Sequence, residues 1–194
     1  LNSKDTTEKN TLRKIYNDFK KDSSTLTRIK KISAKQFSNV SGNYNHVHYD
    51  KINEWHWGER YGESIIHDLN NSAVGWIDWN ILLDETGGPN HVQNFCYAPV
   101  IANTAKNELH YMSSFYYLGH FSKFIRPGAK RIICSSNYDD LLATAFINPD
   151  KSISVVAMNM TDETIEFKIW MEAKGTVSKL PPHSICTIVM NSEK

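Results

Sequence analysis

Six short predicted strands fill the last third of the chain, and this feature limits the fold more strongly than any other. The strands cover residues 131–135, 141–147, 153–160, 164–170, 176–180 and 184–190. Turn-forming residues such as Asn148-Pro149-Asp150 and Pro181-Pro182 separate them. Because strands joined by connections this short pair as hairpins, the region is predicted to form an antiparallel β-sandwich.

A different pattern precedes Pro127-Gly128. Apolar residues recur at helical spacing over residues 8–19, 59–69 and 111–125, which predicts three helices. Between the second and third helices lies Gly75-Trp76-Ile77-Asp78-Trp79-Asn80, within a nearly continuous apolar run. Such a run is typical of a parallel strand that is covered on both faces. In barrels and open parallel sheets, the active site lies at the carboxyl ends of the strands.

Polar residues cluster around Trp79 at the end of this predicted strand. The flat face of its ring suits the C–H face of a pyranose, while Asp78, Asn80 and Asn94 offer hydrogen-bonding groups to hydroxyls. The pattern therefore favours a sugar-binding site. The alternative interpretation is that these tryptophans are core residues, because tryptophans in strands are usually well buried.

From Trp55 to about Asn191 the chain resembles the glucosylceramidases of glycoside hydrolase family 30. The resemblance rests on the tryptophan strand, on Gly87-Gly88-Pro89-Asn90 with Asn94-Phe95, and on the block from Phe115 to Ile125. It implies the carboxyl-terminal part of a TIM (β/α)₈ barrel followed by an antiparallel β-sandwich domain. The expected domains are residues 1–127 and 128–194. The barrel segment would be incomplete, because a whole barrel needs about 250 residues.

The resemblance also implies roles for individual residues. Trp79 and Asn94 would contact the glucosyl unit, and Asp78 would act indirectly, by holding the residues that make these contacts. Residues 91–97 would form a mobile loop at the site entrance, with a hinge at the Gly-Gly-Pro sequence, and His91 stands where the family usually has tryptophan. The implied reaction is retaining hydrolysis of the β-glucosidic bond of glucosylceramide or a related β-glucoside.

Catalytic carboxylates are the main departure from the family pattern. A retaining glycosidase needs two of them about 5 Å apart. The family's acid/base glutamate precedes everything matched here, and its nucleophile would fall at Ser38 in an ungapped alignment or at Thr27-Arg28 in a gapped one. We therefore expect no catalytic residue in this chain and no activity of the chain alone. The alternative is a non-catalytic pseudoenzyme that binds a glycolipid or another protein.

Other carboxylates could in principle replace the missing pair. The nearby ones are Asp78, Asp84, Glu85, Glu59 and Glu63. Glu59 and Glu63 stand four residues apart, which is typical of the solvated face of a helix. The sequence thus offers no credible substitute pair.

Composition excludes several classes of function. Residues 1–35 carry ten Lys or Arg against four Asp or Glu, but without interleaved aromatic residues we do not expect nucleic-acid binding. No apolar run is long enough for a transmembrane segment. Leu1 in place of methionine, with no signal segment, indicates a truncated or processed start.

Cofactors and metals are not expected. His46 and His48 could share one face of a strand, but no further ligand stands at a convincing spacing. The three cysteines are too scattered for a disulfide framework and are predicted to be buried. Glycosylation patterns begin at Asn39, Asn70 and Asn159 and are compatible with a lysosomal or secreted protein. An acidic lipid surface or a saposin-type activator would be the further partners.

Overall fold

The computed structural model describes residues 54–89, 95–171 and 174–191 of the chain. The predicted helix over residues 8–19, His46 and His48, the glycosylation pattern at Asn39, and Asn94 lie outside these residues. The described helices are α1 (His56–Asn70) and α2 (Ser113–Ser122). The described strands are β1 (Leu82–Asp84), β2 (Val100–Asn103), β3 (Glu108–Tyr111), β4 (Lys130–Ile132), β5 (Leu141–Ile147), β6 (Ile153–Asn159), β7 (Ile165–Met171), β8 (Lys174–Leu180) and β9 (Ser184–Met190).

Helices α1 and α2 pack directly against each other through the ring of Tyr117. A Cβ atom added at Gly62 would lie 2.7 Å from both Tyr117 Cδ1 and Met158 Sδ, so only glycine allows this close approach. Tyr117 is fully buried. The two predicted helices that fall within the described residues are confirmed, although α2 is shorter at both ends than the periodicity suggested.

The two helices share one hydrophobic core with the sandwich. Ile66 of α1 and Tyr117 of α2 pack with Val156 and Met158 of β6, and all four side chains are almost completely buried. Both helices are thus stabilised by sheet residues that follow them in sequence.

The sandwich consists of an antiparallel four-stranded sheet in the order β4-β5-β6-β9 and the separate hairpin β7-β8. Ile165 and Leu180 of the hairpin pack on Leu141 and Ala157 of the larger sheet. All six strands predicted after Pro127-Gly128 are present, with shifts of a few residues at the ends of β4 and β8. A groove of about 830 Å³ remains between the two sheets.

The predicted strand over residues 75–80 is wrong. Those residues form an irregular connection between α1 and β1, and Ile77 is 72% exposed. A strand exists only where a neighbour accepts and donates backbone hydrogen bonds, and the described residues supply no such neighbour beside 75–80. The parallel pairing begins later, where Leu82 to Asp84 lie beside Val100 to Ala102.

The hairpin β2-β3 was not predicted from the sequence. Its strands pair antiparallel from Val100 opposite Tyr111 to Asn103 opposite Glu108. Asn107 in the turn has a φ of 56°, a conformation that asparagine tolerates better than most residues. The small sheet therefore has the order β1-β2-β3, with one parallel and one antiparallel pair.

The glycosylation pattern at Asn159-Met160-Thr161 is not accessible. Asn159 is fully buried, and its Nδ2 donates hydrogen bonds to the carbonyl oxygens of Glu163 at 2.7 Å, Leu180 at 3.1 Å and Pro181 at 2.8 Å. Its Oδ1 accepts from the Thr161 backbone N–H at 2.9 Å. Asn159 is therefore a structural residue that joins the loop before β7 to the end of β8.

The three cysteines carry free thiols, and burial raises the pKa of each. Cys96 is buried, as predicted, whereas Cys134 and Cys186 are only half-buried. Among the described residues no cluster of His, Cys, Asp and Glu could hold a metal ion. No described helix has the length and apolar character needed to cross a membrane.

Candidate functional site

The described candidate site residues, Asp78 and Trp79, lie in the connection from α1 to β1. The expectation that they stand at the carboxyl end of a strand is wrong, because β1 begins only at Leu82. Trp79 is 53% exposed. Asn94 lies outside the described residues, so its predicted contact with the same sugar stays a prediction.

Asp78 is held from two sides. Its Oδ2 accepts a hydrogen bond of 2.8 Å from the Tyr61 hydroxyl on α1, and its Oδ1 accepts one of 2.8 Å from the backbone N–H of Trp79. Burial, followed by the Asp78 charge, raises the pKa of Tyr61, so that the phenol remains a proton donor. The carboxylate therefore fixes the backbone of Trp79 relative to α1.

Trp76 and Trp79 have opposite environments. Trp76 is half-buried, and its ring lies 5.5 Å from that of Tyr61 at an angle of 59°. It packs against the core that includes Ile65 and Ile66. The alternative interpretation of the tryptophans as core residues thus applies to Trp76, while Trp79 presents much of its surface to solvent.

Asp84 closes the turn after β1. Its Oδ1 accepts hydrogen bonds from the Thr86 hydroxyl at 2.6 Å, the Thr86 N–H at 2.9 Å and the Gly88 N–H at 3.0 Å. These bonds, with the Thr86 hydroxyl bond foremost, lower the pKa of Asp84. Gly87 in this turn has a φ of 85°, and the Gly88-Pro89 peptide bond is cis. The Gly-Gly-Pro sequence thus forms a tight turn, and its proposed role as a hinge stays a prediction.

Glu85 ties the loop after β1 to the loop after β2. Its Oε1 accepts from the Thr104 hydroxyl at 2.6 Å and its Oε2 from the Thr104 N–H at 2.9 Å. Both contacts lower the pKa of Glu85. A general acid at a glycosidic bond needs a raised pKa, so neither Glu85 nor Asp84 has the required environment.

Glu59 does not belong to a solvated helix face, and that interpretation of the sequence is wrong. Only 12% of its side chain is exposed, and Oε1 lies 2.7 Å from Nδ1 of His183. The reason is tertiary: the turn between β8 and β9 covers this part of α1. Helical spacing alone cannot reveal a partner that lies 124 positions away in the sequence.

The site therefore combines an exposed aromatic ring with an anchored carboxylate. Four of the five nearby carboxylates hold structural hydrogen bonds: Asp78 with Tyr61, Asp84 with Thr86, Glu85 with Thr104 and Glu59 with His183. Sequence reasoning missed the Tyr61–Asp78 bond, although a polar hydroxyl on an apolar helix face was a usable signal. Sugar binding at this ring stays a prediction, and these four carboxylates of the described residues are engaged in structural contacts.

Two family profiles match the chain in succession. The glycosyl hydrolase family 30 TIM-barrel domain matches residues 7–125, and the glycosyl hydrolase family 30 beta sandwich domain matches residues 128–188. Together they account for the helices α1 and α2 and for nearly all of the strands described above.

Similar full-length proteins include glucosylceramidases. The lysosomal acid glucosylceramidase of Mus musculus is 39% identical over 133 residues, which are 68% of this chain and 26% of that protein. Putative glucosylceramidase 3 of Caenorhabditis elegans is 34% identical over 157 residues, covering 79% of this chain and 30% of the relative. The chain thus spans about a quarter to a third of the length of these relatives.

Solved structures show the same architecture. SrfJ from Salmonella typhimurium aligns with a TM-score of 0.69 and 31% identity over 72% of this chain and 31% of its own. The endo-beta1,6-glucanase BT3312 aligns with a TM-score of 0.64 at 24% identity, over 70% of this chain and 31% of its own, and shows the fold alone.

Proposed function

This chain belongs to glycoside hydrolase family 30, and we propose that it supplies the glucosyl-binding wall and the sandwich domain of a glucosylceramidase-type hydrolase. The proposed reaction of the whole protein is retaining hydrolysis of the β-glucosidic bond of glucosylceramide or a related β-glucoside. In this assignment Trp79 and Asn94 contact the sugar, and Asp78 positions Trp79. The proposed domains are a barrel segment of residues 1–127 and a sandwich of residues 128–194.

One observation carries the proposal: Trp79 combines an exposed ring with a fixed backbone. Its N–H donates to Asp78, which in turn accepts from Tyr61 on the packed helix α1. A sugar gains most from an aromatic surface that is already in place, because little conformational freedom is then lost on binding. An exposed tryptophan on an unanchored connection would lack this advantage.

Catalytic carboxylates are not assigned to this chain. The two candidate nucleophile positions, at Ser38 and at Thr27-Arg28, hold no glutamate. A serine without a base partner cannot form the glycosyl ester that a carboxylate forms. The structural hydrogen bonds of Asp78, Asp84, Glu85 and Glu59 support the same assignment, and they also favour the second candidate function, a non-catalytic glycolipid-binding or protein-binding relative.

Binding is tested with the full chain and a non-hydrolysable alkyl β-thioglucoside, measured by calorimetry. We expect Trp79→Ala to weaken the affinity roughly five- to tenfold, the effect of losing one aromatic stacking contact. Trp170→Ala is the matched control, because Trp170 is 63% exposed but belongs to strand β7 of the sandwich hairpin and not to the connection that carries Trp79. Equal affinities for the wild type and Trp79→Ala would refute the role of this ring.

Hydrolysis tests whether this chain carries a catalytic pair of its own. The full chain is incubated with a fluorogenic β-glucoside beside a heat-killed control. Release of the fluorophore above the control would show that a catalytic pair is present. It would contradict the proposal that this chain contains no catalytic residue. Binding without release is expected for both candidate functions. In the first, this chain supplies the sugar-binding residues and the catalytic carboxylates lie outside it; in the second, the protein only binds.

The proposed setting is lysosomal. The glucosylceramidase relatives support this choice, and an acidic lipid surface or a saposin-type activator remains the proposed partner. Fluorescent tagging of the full-length protein, with a lysosomal marker as reference, tests the compartment. A uniform cytosolic distribution would contradict it.

A further inference from the structure

His183 occupies an unusual position in the turn between β8 and β9. It follows Pro181-Pro182 and has a φ of 50°, in the left-handed region. Its backbone N–H donates to the Thr161 carbonyl at 3.2 Å. Its own carbonyl oxygen accepts hydrogen bonds from Trp55 Nε1 at the start of α1 and from the Tyr117 hydroxyl of α2. The turn of the sandwich is therefore attached to both helices of the barrel segment.

The imidazole ring of His183 lies between two carboxylates. Nδ1 is 2.7 Å from Glu59 Oε1 on α1, and Nε2 is 2.8 Å from Asp162 Oδ1 in the connection between β6 and β7. An ionised carboxylate can only accept hydrogen bonds, and a neutral imidazole can donate only one. Both contacts can be hydrogen bonds to carboxylates only when the ring carries two protons and a positive charge.

Other groups around the ring do not change this requirement. Tyr117 is the titratable group that α2 contributes, and burial, followed by the Glu59 charge, raises its pKa, so the phenol stays neutral. From α1 comes Glu59, whose side chain is 12% exposed, and from the β6–β7 connection comes Asp162, whose side chain is 98% exposed. Charge pairs are screened less where water is excluded, so solvent weakens the Glu59 contact less than it weakens the Asp162 contact.

We propose that His183 is a pH-dependent clasp between the barrel segment and the sandwich. The clasp is closed when the protonated ring bridges Glu59 and Asp162, and it loosens when the ring loses its proton. Because α1 also carries Tyr61, which holds Asp78 beside Trp79, the clasp lies on the helix that positions the candidate sugar site. This inference concerns stability and does not depend on the proposed sugar binding.

The sign of the pH dependence follows from linkage. Hydrogen bonds to Asp162, and then to Glu59, raise the pKa of His183 above its ordinary value of about 6.5. A raised pKa in the folded state contributes stability that is fully present below about pH 6.5 and is lost as the pH rises through the folded-state value. An acidic compartment would therefore keep the clasp closed.

A second histidine at the same junction acts in the opposite direction. His120 on α2 lies 2.9 Å from the Thr187 hydroxyl of β9, and burial lowers its pKa. The folded state therefore favours the neutral His120 ring, and the stability that this ring contributes declines as the pH falls. The absolute unfolding temperature therefore mixes both effects, and the informative quantity is the difference between wild type and a His183 variant.

The experiment compares thermal unfolding of the full chain and of His183→Asn between pH 5 and pH 8. Asparagine tolerates the left-handed backbone at this position but cannot become charged. We expect the variant to unfold about 2–4 °C below the wild type at pH 5, the shift of a moderate stability loss in a chain of this size, and the difference to shrink towards zero at pH 8. A difference that is the same at both pH values would overturn the clasp.

Two further measurements keep the test decisive. Glu59→Gln should reduce the acid-specific difference and should not add to His183→Asn in the double variant. His56→Asn is the control, because His56 on the same helix is half-exposed and, among the described residues, lies close to one carboxylate, that of Glu54 at 3.5 Å. If His183→Asn fails to fold, an NMR titration of the wild-type ring decides: a His183 pKa at or below about 6.5 refutes the proposal.

Discussion

The sandwich and the barrel segment of this chain differ in how completely their strands are paired. Strands β5 and β6 pair along seven positions, from Leu141 opposite Asn159 to Ile147 opposite Ile153. In the described part of the barrel segment, β1 has three residues and pairs with β2 alone. Large apolar side chains beside β1 are mostly exposed; Ile81, for example, is 72% exposed.

The difference follows from where the partner strand lies in the sequence. An antiparallel hairpin finds its partner in the next few residues, so the loop to be closed is short. A barrel strand pairs in parallel with strands that lie a whole helical crossover away. In the described residues, the barrel segment accordingly has short, sparsely paired strands, while the sandwich, which contains complete hairpins, has a well-paired sheet.

Helices α1 and α2 nevertheless remain well packed, because their buried face rests on the sandwich. Tyr117 is the centre of this junction: it is fully buried, lies against Gly62 and meets the ring of Trp55 edge-on at 5.6 Å. The barrel segment should thus depend on the sandwich more than the sandwich depends on it.

Tyr117→Ala should have the largest effect of the stability variants. Removing a fully buried aromatic ring leaves a cavity, and we expect the free energy of unfolding of the full chain to fall by about 3–5 kcal/mol. Urea unfolding followed by circular dichroism gives this value. In the variant, hydrogen exchange should accelerate more in α1 than in β5 and β6, since the sandwich hairpins keep their own partners.

Tyr116→Ala is the matched control for this variant. Tyr116 is the preceding residue of the same helix and is 53% exposed, so its loss should change stability by about 0.5 kcal/mol or less. Similar losses for the two variants would mean that the helices are not stabilised through the junction described above.

Asn159→Ala tests the sandwich by itself. The substitution leaves the carbonyl oxygens of Glu163, Leu180 and Pro181 without their buried donor, and we expect a loss of about 2–3 kcal/mol in urea unfolding. Asn137→Ala, at an exposed position, should change the free energy of unfolding little.

The burial of Asn159 also predicts that it is not glycosylated. Protein expressed through a secretory pathway should carry no glycan at Asn159, and a glycosylated peptide in mass spectrometry would contradict its burial.

The sandwich could be predicted from the sequence because each of its strands is a local pattern. The predicted bounds of 141–147 and 184–190 coincide with β5 and β9. The turn residues Asn148-Pro149-Asp150 and Pro181-Pro182 mark where neighbouring strands end. Little information from elsewhere in the chain is needed when a strand and its partner are joined by a few residues.

The remaining features depend on partners that no local pattern reveals. Residues 75–80 have the composition of a covered parallel strand, but only neighbouring strands could make them one. Glu59 has the helical spacing of a solvated face, yet most of its side chain is buried and His183 lies against it. For the candidate site, Trp79 is exposed but its sugar-binding role stays a prediction, and the anchoring of Asp78 by Tyr61 became visible only in three dimensions.

Gly87→Ala should have the smallest destabilising effect, and it tests the turn that joins β1 to the rest of the barrel segment. Its φ is 85°, and an added Cβ would lie 2.9 Å from both the N and O atoms of Cys96. Left-handed strain and this backbone contact should together cost about 1–2 kcal/mol in urea unfolding. The effect is smaller than those above because the turn belongs to the less completely paired region, where part of the strain can relax.

Gly119→Ala is the control with the opposite expected sign. Gly119 lies within α2, and an added Cβ would meet nothing within 4 Å. Alanine favours a helix over glycine, so this variant should gain about 0.5–1 kcal/mol. If Gly87→Ala proved neutral while Gly119→Ala stabilised the chain, the turn after β1 would contribute nothing to folding. The barrel segment would then contribute even less to the stability of the chain, relative to the sandwich, than the pairing of β1 with β2 implies.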